Sequence, residues 1–524
     1  MEGHPIGCLL VLALIYAPLD VIEAHSHLMT NDEIYTWHIA QAPTIHRMLA
    51  MAREIDLHPP LHYLLQRWSL KLDLPRWLGS RLPNMIAGLI TIFALFRLAA
   101  KHFGNTIGMT AAAAFLCSPA IRYAWENRPY MILMCALTLL MCAWDAATAP
   151  ERTWRSVAAV GLASVMMVSD HLIGVACLAP FAVGEAVRLY RRRRADWVLW
   201  LCLFTPSLLG LGLFYQIHHL RTNSFPVQNM PSFMLAWNTY GELLNDFFFA
   251  ASICILALAF MPHARESPSL RRKSLRVEEL AMLWALALLP MMTLIAGAIL
   301  HIQFWRRYGF CAIIGVAILV PWMITYRSRV PKTLSVFIFF ALLASVIEKA
   351  STEWTVVGTE SAGLFQTGRV PMHLQDLDRS LPIVDASPMT YMEMSDREPA
   401  EIVSRVFYLT DYKAALRYSG YTLFDNEAKI RQILELRSHT ARLREFAAEH
   451  PKFYMVAAYP STDDWLPRKL ADSGANVDYL GKFVSSYDND DIFLVKIPPG
   501  ALDTANAGFK PDDERVLPFP GSKD

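Results

Sequence analysis

The chain has 524 residues, of which 54% are hydrophobic and 18% charged. Long apolar runs recur to about residue 348 and then stop, which excludes an ordinary soluble enzyme and points to a polytopic membrane protein with a polar C-terminal third. The formal net charge of +1 gives no bulk electrostatic signal for nucleic acid or any other partner.

A helix crosses a bilayer with about 20 apolar residues. Taken in order, spans are predicted over roughly 6–22, 82–100, 105–121, 130–148, 155–169, 171–189, 196–217, 240–261, 278–300, 308–326 and 333–349, about eleven in all. The first follows a leader without positive charge and without a small-residue cleavage pattern, so it reads as a span rather than a signal peptide. The eight cysteines all fall in apolar stretches, with no CxxC pair and no zinc spacing, and read as small core hydrophobes.

Short basic loops mark the cytoplasmic side. They lie at 191–194, at 271–276, at Arg327, Arg329 and Lys332, and more weakly at Arg97, Lys101, His102, Arg152 and Arg155. Counting spans from an inside N-terminus puts all five on one side. The long loop at about 23–80, the tips at 122–128, 170–171 and 303–307, and residues 350–524 then fall outside. Within the first loop, 34–53 and 61–72 have amphipathic spacing that suits helices lying at the interface.

Beyond residue 350 the pattern alternates. Strands are predicted at 383–386, 406–409, 453–458, 478–480 and 492–496, with helices at 411–418, 427–449 and 464–473. That is a small α/β domain. It carries no GxGxxG and no GxxxxGK[ST], so no nucleotide site is assigned to it. The domains are read as 1–349 (transmembrane), 350–499 (extracytoplasmic α/β) and 500–524 (a loose tail).

Five ionisable groups interrupt the apolar part, and the topology places all of them at outer tips. A lipid-facing charge costs roughly 2.5–3.5 kcal/mol, so charges converging on one face suggest a polar cavity. Asp32-Glu33 follows the first span and suits a general base or a cation ligand; equally, Asn31 or Asp32 suits the cap of a helix from Ile34. His58-Pro59-Pro60 is a rigid helix start whose histidine can face a phosphate or a sugar hydroxyl. Arg81 and Arg128 stand where spans begin, as lipid anchors or as phosphate contacts, with Glu126 and Tyr130 beside Arg128. Asp170-His171 is a polar turn between two short apolar runs. Arg306-Arg307-Tyr308 puts positive charge on the outer side, against the usual bias, where a lipid phosphate or a structural acid is its partner.

These residues resemble the C-superfamily of membrane glycosyltransferases that use polyprenyl-phosphate sugars. The nearest pattern is glycosyltransferase family 39 and its bacterial relatives, among them protein O-mannosyltransferases and the aminoarabinose transferase ArnT. The matching elements are Asp32-Glu33, Pro-Pro-Leu at 59–61, Arg-Leu-Pro at 81–83, Glu-x-Arg-Pro-Tyr at 126–130 and Arg-Tyr at 307–308. One departure is His58, where ArnT-like members often carry lysine; a histidine changes charge near pH 7. The resemblance implies a polytopic helical fold with a small C-terminal α/β domain. It implies Asp32 as the catalytic carboxylate supported by Glu33, and admits a divalent metal (Mg or Mn) held by Asp32. Donor phosphate contacts fall to His58, Arg81, Arg128, Arg306, Arg307 and Tyr308, and substrate contacts to Glu126, Tyr130, Asp170 and His171.

The function expected is transfer of a sugar from a polyprenyl-phosphate donor, with inversion, to a hydroxyl of an envelope glycolipid, lipopolysaccharide or protein. No nucleotide takes part. The site would face the periplasm or exterior from the inner membrane. The rival expectation is a transporter or flippase for a lipid-linked or small anionic substrate. The charges lie at span ends and no repeat is visible, which speaks against it.

Overall fold

A computed structural model describes residues 3–56, 58–212, 232–245, 275–300, 305–327, 331–363, 372–419, 427–457, 464–484 and 489–504. The chain forms two compact units. The first holds Met1–His27, Leu57–Tyr215 and Val227–Trp354; the second holds Leu28–Asp56, Gln216–Pro226 and Thr355–Asp524.

In chain order the main helices up to residue 363 are α1 (Pro5–Ser26), α2 (Asn31–Ala40), α3 (Ile45–Ile55), α4 (Leu61–Ser69), α5 (Leu82–Phe103), α6 (Asn105–Cys117), α7 (Tyr130–Thr148), α8 (Trp154–Asp170), α9 (Ile173–Arg192, with a break after Ala176), α10 (Trp197–Phe204), α11 (Val277–Ala287), α12 (Leu289–Leu300), α13 (Ala312–Arg327) and α14 (Pro331–Gly363). Among the described residues five are long and apolar enough to cross a membrane: α1, α5, α7, α9 and the Pro331–Glu348 part of α14. The pair α11–α12, bent by 61°, makes a sixth if it is one span. Helix occupies every predicted span except 240–261, which lies largely outside the described residues. The stretch 34–53 is not one helix: Pro43 lies between α2 and α3 and cannot continue a helical ladder.

In the first unit α5 packs on α1, α6 and α7 around a continuous apolar core. Gly88 permits the closest of these approaches, because a Cβ there would collide with the Tyr16 hydroxyl, which donates to the Met85 carbonyl at 2.8 Å. Segments at or next to the loops read as cytoplasmic are joined by several ion pairs. Lys101 pairs with Asp145, Arg276 reaches Asp145 at 3.4 Å, Arg191 reaches Glu278 at 2.8 Å and Arg188 reaches Asp196 at 2.9 Å. Chain segments far apart in sequence thus end close together.

The second unit is built on a six-stranded sheet in the order β3-β2-β1-β4-β6-β5. The strands are β1 (Ile383–Asp385), β2 (Val406–Thr410), β3 (His439–Arg442), β4 (Lys452–Ala457), β5 (Asn476–Val484) and β6 (Asn489–Lys496). β1, β2, β3 and β4 are parallel; β6 pairs antiparallel with β4 and β5. Helices α15 (Pro388–Arg397), α16 (Tyr412–Ser419), α17 (Glu427–Leu434), α18 (Leu443–Glu449) and α19 (Trp465–Asp472) surround it. Val384, Leu409, Phe453, Met455 and Val495 pack with Ala414, Phe446 and Leu470 into one buried cluster. The single helix predicted over 427–449 is corrected here. Glu435 takes a left-handed φ of 55°, which ends α17, and the next residues join the sheet as β3 before α18 begins.

Candidate functional site

The second unit holds the acid pair. Thr30 caps α2: its backbone N–H donates to Glu33 Oε2 at 3.0 Å and its hydroxyl lies 3.2 Å from the same oxygen. Glu33 is therefore turned inward and fully buried, while Asp32 is half-buried on the same turn. α2 packs against α15, and His38 Nε2 lies 3.7 Å from Asp396 Oδ1. The cap falls to Thr30 rather than to Asn31 or Asp32.

The first unit brings most of the basic and aromatic candidates together. His171 ends α8. Its ring lies 4.9 Å from His58, 5.0 Å from Tyr130 and 5.9 Å from Tyr308, centroid to centroid. Arg128 and Arg307 both sit over the Tyr130 ring, with guanidinium carbons 5.5 and 5.8 Å from its centroid. Asn84 of α5 fixes the 126–130 turn by donating to the Arg128 carbonyl at 2.7 Å and to that of Glu126. His171 Nδ1 accepts the Ile173 amide proton at 3.0 Å. That bond leaves the ring proton on Nε2, which has no hydrogen-bond partner among the described residues. The cluster thus combines two guanidinium groups, a buried imidazole N–H and two phenols, a donor-rich set suited to a phosphate.

Other candidates lie elsewhere. Arg81 is buried, and its guanidinium donates to the carbonyls of Ala24 and His27 (the latter at 3.0 Å), so it ties down the end of α1. Arg306 reaches Glu242 at 3.8 Å, away from its neighbour's role. Glu126 pairs with Arg122 at 3.7 Å. Asp170 is fully buried, and its carboxylate receives no hydrogen bond among the described residues.

Sequence reasoning missed His62, Arg122 and Glu242. His62 is buried as the second residue of α4, and burial, followed by the charge of His58, pushes its pKa down to about 3. Its i+4 spacing from His58 was the available signal.

For a metal, the one group of three ligands within 4.8 Å of one another among the described residues is His102, Asp145 and Glu279. Lys101 and Arg276 already neutralise its carboxylates. Asp32 is not in that group, and Glu33 is engaged in the cap.

Residues 57–209 match the family model described as dolichyl-phosphate-mannose-protein mannosyltransferase. Among solved structures, ArnT from Cupriavidus metallidurans bound to undecaprenyl phosphate is similar over 93% of this chain and 98% of that chain, at 12% identity and a TM-score of 0.52. Its apo form matches over the same shares at 12% identity, with a TM-score of 0.44. No curated protein matches. The family match covers the stretch from α4 to α10, and the structural likeness is one of fold. The first of these structural likenesses bears out the fold read from the sequence: this is a polytopic membrane chain with the fold of ArnT from Cupriavidus metallidurans.

Proposed function

We propose that the protein transfers a sugar from a polyprenyl-phosphate donor to a hydroxyl of an envelope acceptor at the outer face of the inner membrane. The observation that carries this reading is the convergence of His58, Arg128, Tyr130, His171, Arg307 and Tyr308 at the tips of separate helices. The match to a family described by a dolichyl-phosphate sugar, and the fold shared with a protein solved with undecaprenyl phosphate, support the same donor class.

In this reading the lipid phosphate is held by Arg128 and Arg307, with His58, the Tyr308 hydroxyl and the His171 Nε2–H completing the donor set. Asp32 takes the acceptor's hydroxyl proton. The oxygen attacks the anomeric carbon as the bond from that carbon to the phosphate oxygen breaks. The electron pair leaves on the phosphate, where the guanidinium groups stabilise it. Attack opposite the phosphate inverts the anomeric centre. Glu33 holds the start of α2 and so positions Asp32. No step is routed through a metal. Acceptors with exposed hydroxyls include glycolipid, lipopolysaccharide and protein.

The test is release of polyprenyl phosphate by the purified full chain supplied with a polyprenyl-phosphate sugar and candidate acceptors. Wild type is expected to turn over, and Asp32→Asn to fall by about 10²–10⁴-fold. Equal release by the two removes Asp32 from the chemistry. Vectorial flux without glycoside formation replaces the reading with transport.

A further inference from the structure

A second polar feature lies inside the first unit, apart from the cluster around His171. Asp20 stands in the C-terminal third of the apolar α1, is 1% exposed, and neither of its carboxylate oxygens receives a hydrogen bond among the described residues. Tyr16, one turn earlier, donates its hydroxyl to the Met85 carbonyl. A carboxylate within a membrane helix is costly and by default marks a pathway or a site.

Asp20 lines a cavity of about 310 Å³. Leu19, Leu116, Ile121, Trp125 and Val346 give it an apolar wall, and Glu23 and Arg122 share its polar end. Arg122 is also within ion-pair distance of two acids outside the lining, Glu126 at 3.7 Å and Glu242 at 3.9 Å. Its positive charge is thereby offset, and Asp20 is the fully buried acid of the lining. The residues of the phosphate-type cluster do not contribute to the lining. At the lower end of the size range of ligand pockets, this volume takes a head group and the start of a chain rather than a whole lipid.

We infer that this cavity binds the primary ammonium of an amphiphile, with Asp20 as counter-ion and the apolar wall along the first carbons of the chain. The same chemistry is offered by an ethanolamine phospholipid and by a glycolipid bearing an amino sugar. An anionic head without an amine would meet the Asp20 carboxylate and be rejected. The inference does not depend on sugar transfer and has its own readout.

The experiment is native mass spectrometry of the full chain, purified in detergent and exchanged against defined lipids. The lipids are a phosphatidylethanolamine, its N-trimethylated counterpart, a phosphatidylglycerol of the same chains, and an amino-sugar glycolipid. Wild type is expected to retain one of the two primary-amine lipids at least about tenfold over phosphatidylglycerol, and which one is retained identifies the source. Asp20→Asn should lose that preference and Asp20→Glu should keep it. Equal retention of all lipids by wild type, or an undiminished preference in Asp20→Asn, overturns the inference. If Asp20→Asn fails to fold, wild type against Asp20→Glu and against the trimethylated lipid still decides it, because a site built for a primary amine discriminates the two lipids and an apolar groove does not.

Discussion

The Nδ1 of His171 accepts the amide proton of Ile173 at 3.0 Å, which fixes the tautomer of the ring at the centre of the basic–aromatic cluster. The Nε2–H is then a neutral donor beside Tyr130 and His58. Only a side chain with a donor at that distance from the backbone substitutes for it. His171→Gln is expected to retain roughly a tenth of wild-type turnover, and His171→Ala about a hundredth or less. Product release by the two variants, each shown to be folded by near-ultraviolet circular dichroism, checks the order. Equal losses refute a donor role for Nε2.

Arg81 and Arg307 were candidates of one kind in the sequence, each an arginine at the outer end of a span. Packing separates them. Arg81 serves the carbonyls of Ala24 and His27, and Arg307 lies over Tyr130. Arg81→Met leaves those carbonyls without their charged donor and should cost about 2–4 kcal/mol of stability. Yield and thermal midpoint should drop while the KM for donor in the surviving protein stays near wild type. Arg307→Met should leave the thermal midpoint within a few degrees and reduce turnover by about 10²-fold or more. Reversed behaviour of the pair refutes the separation of roles.

His62 gives a pH dependence with a definite sign. Its folded pKa is about 3, below the ordinary histidine value, because burial and then the charge of His58 disfavour the cation. A depressed folded pKa means that the unfolded chain binds the proton more readily, so stability is intact above about pH 6.5 and is lost as pH falls toward 3. Wild type should therefore lose thermal stability steadily below about pH 6.5, and His62→Gln should show a shallower slope over the same window. Thermal denaturation in detergent between pH 4 and 8 measures both slopes. Identical slopes show that His62 is not the titrating group.

What the sequence made legible follows from range. Hydropathy marks each span locally, so α1, α5 and α7 fall where expected, and α7 carries the same bounds as the predicted 130–148. Charges at the tips were legible because an ion in an apolar run has few tolerable positions. Asp20 carried the same signal and was overlooked. The partners were not legible. Nothing local to Asn31–Ala40 says that α2 packs on α15, more than 340 residues later, and no local pattern assigns Arg306 to Glu242. β3 was lost inside a helical pattern because Glu435 carries no turn signature, and only pairing with β2 reveals the strand.

Asp385 tests the second unit by itself. It ends β1, at the boundary where the strand order turns from β2 toward β4. Its Oδ1 accepts the Ser387 amide proton at 2.9 Å. Burial, and next the charge of Asp490, hold its pKa well above the carboxylate range. The folded state therefore keeps the proton where the unfolded state has lost it. Stability is fully present below about pH 3.9 and declines as pH rises through the raised folded value. Asp385→Asn preserves the acceptor oxygen for Ser387 and removes the ionisation. The variant should match wild type near pH 4 and exceed it at pH 8, by roughly 2–5 °C in the midpoint of this unit. Temperature-dependent proteolysis of the full chain, followed through cleavage between residues 372 and 504, reads that midpoint at both pH values. A variant less stable than wild type at pH 8 means that Asp385 is ionised and held by a cation, which reverses the sign.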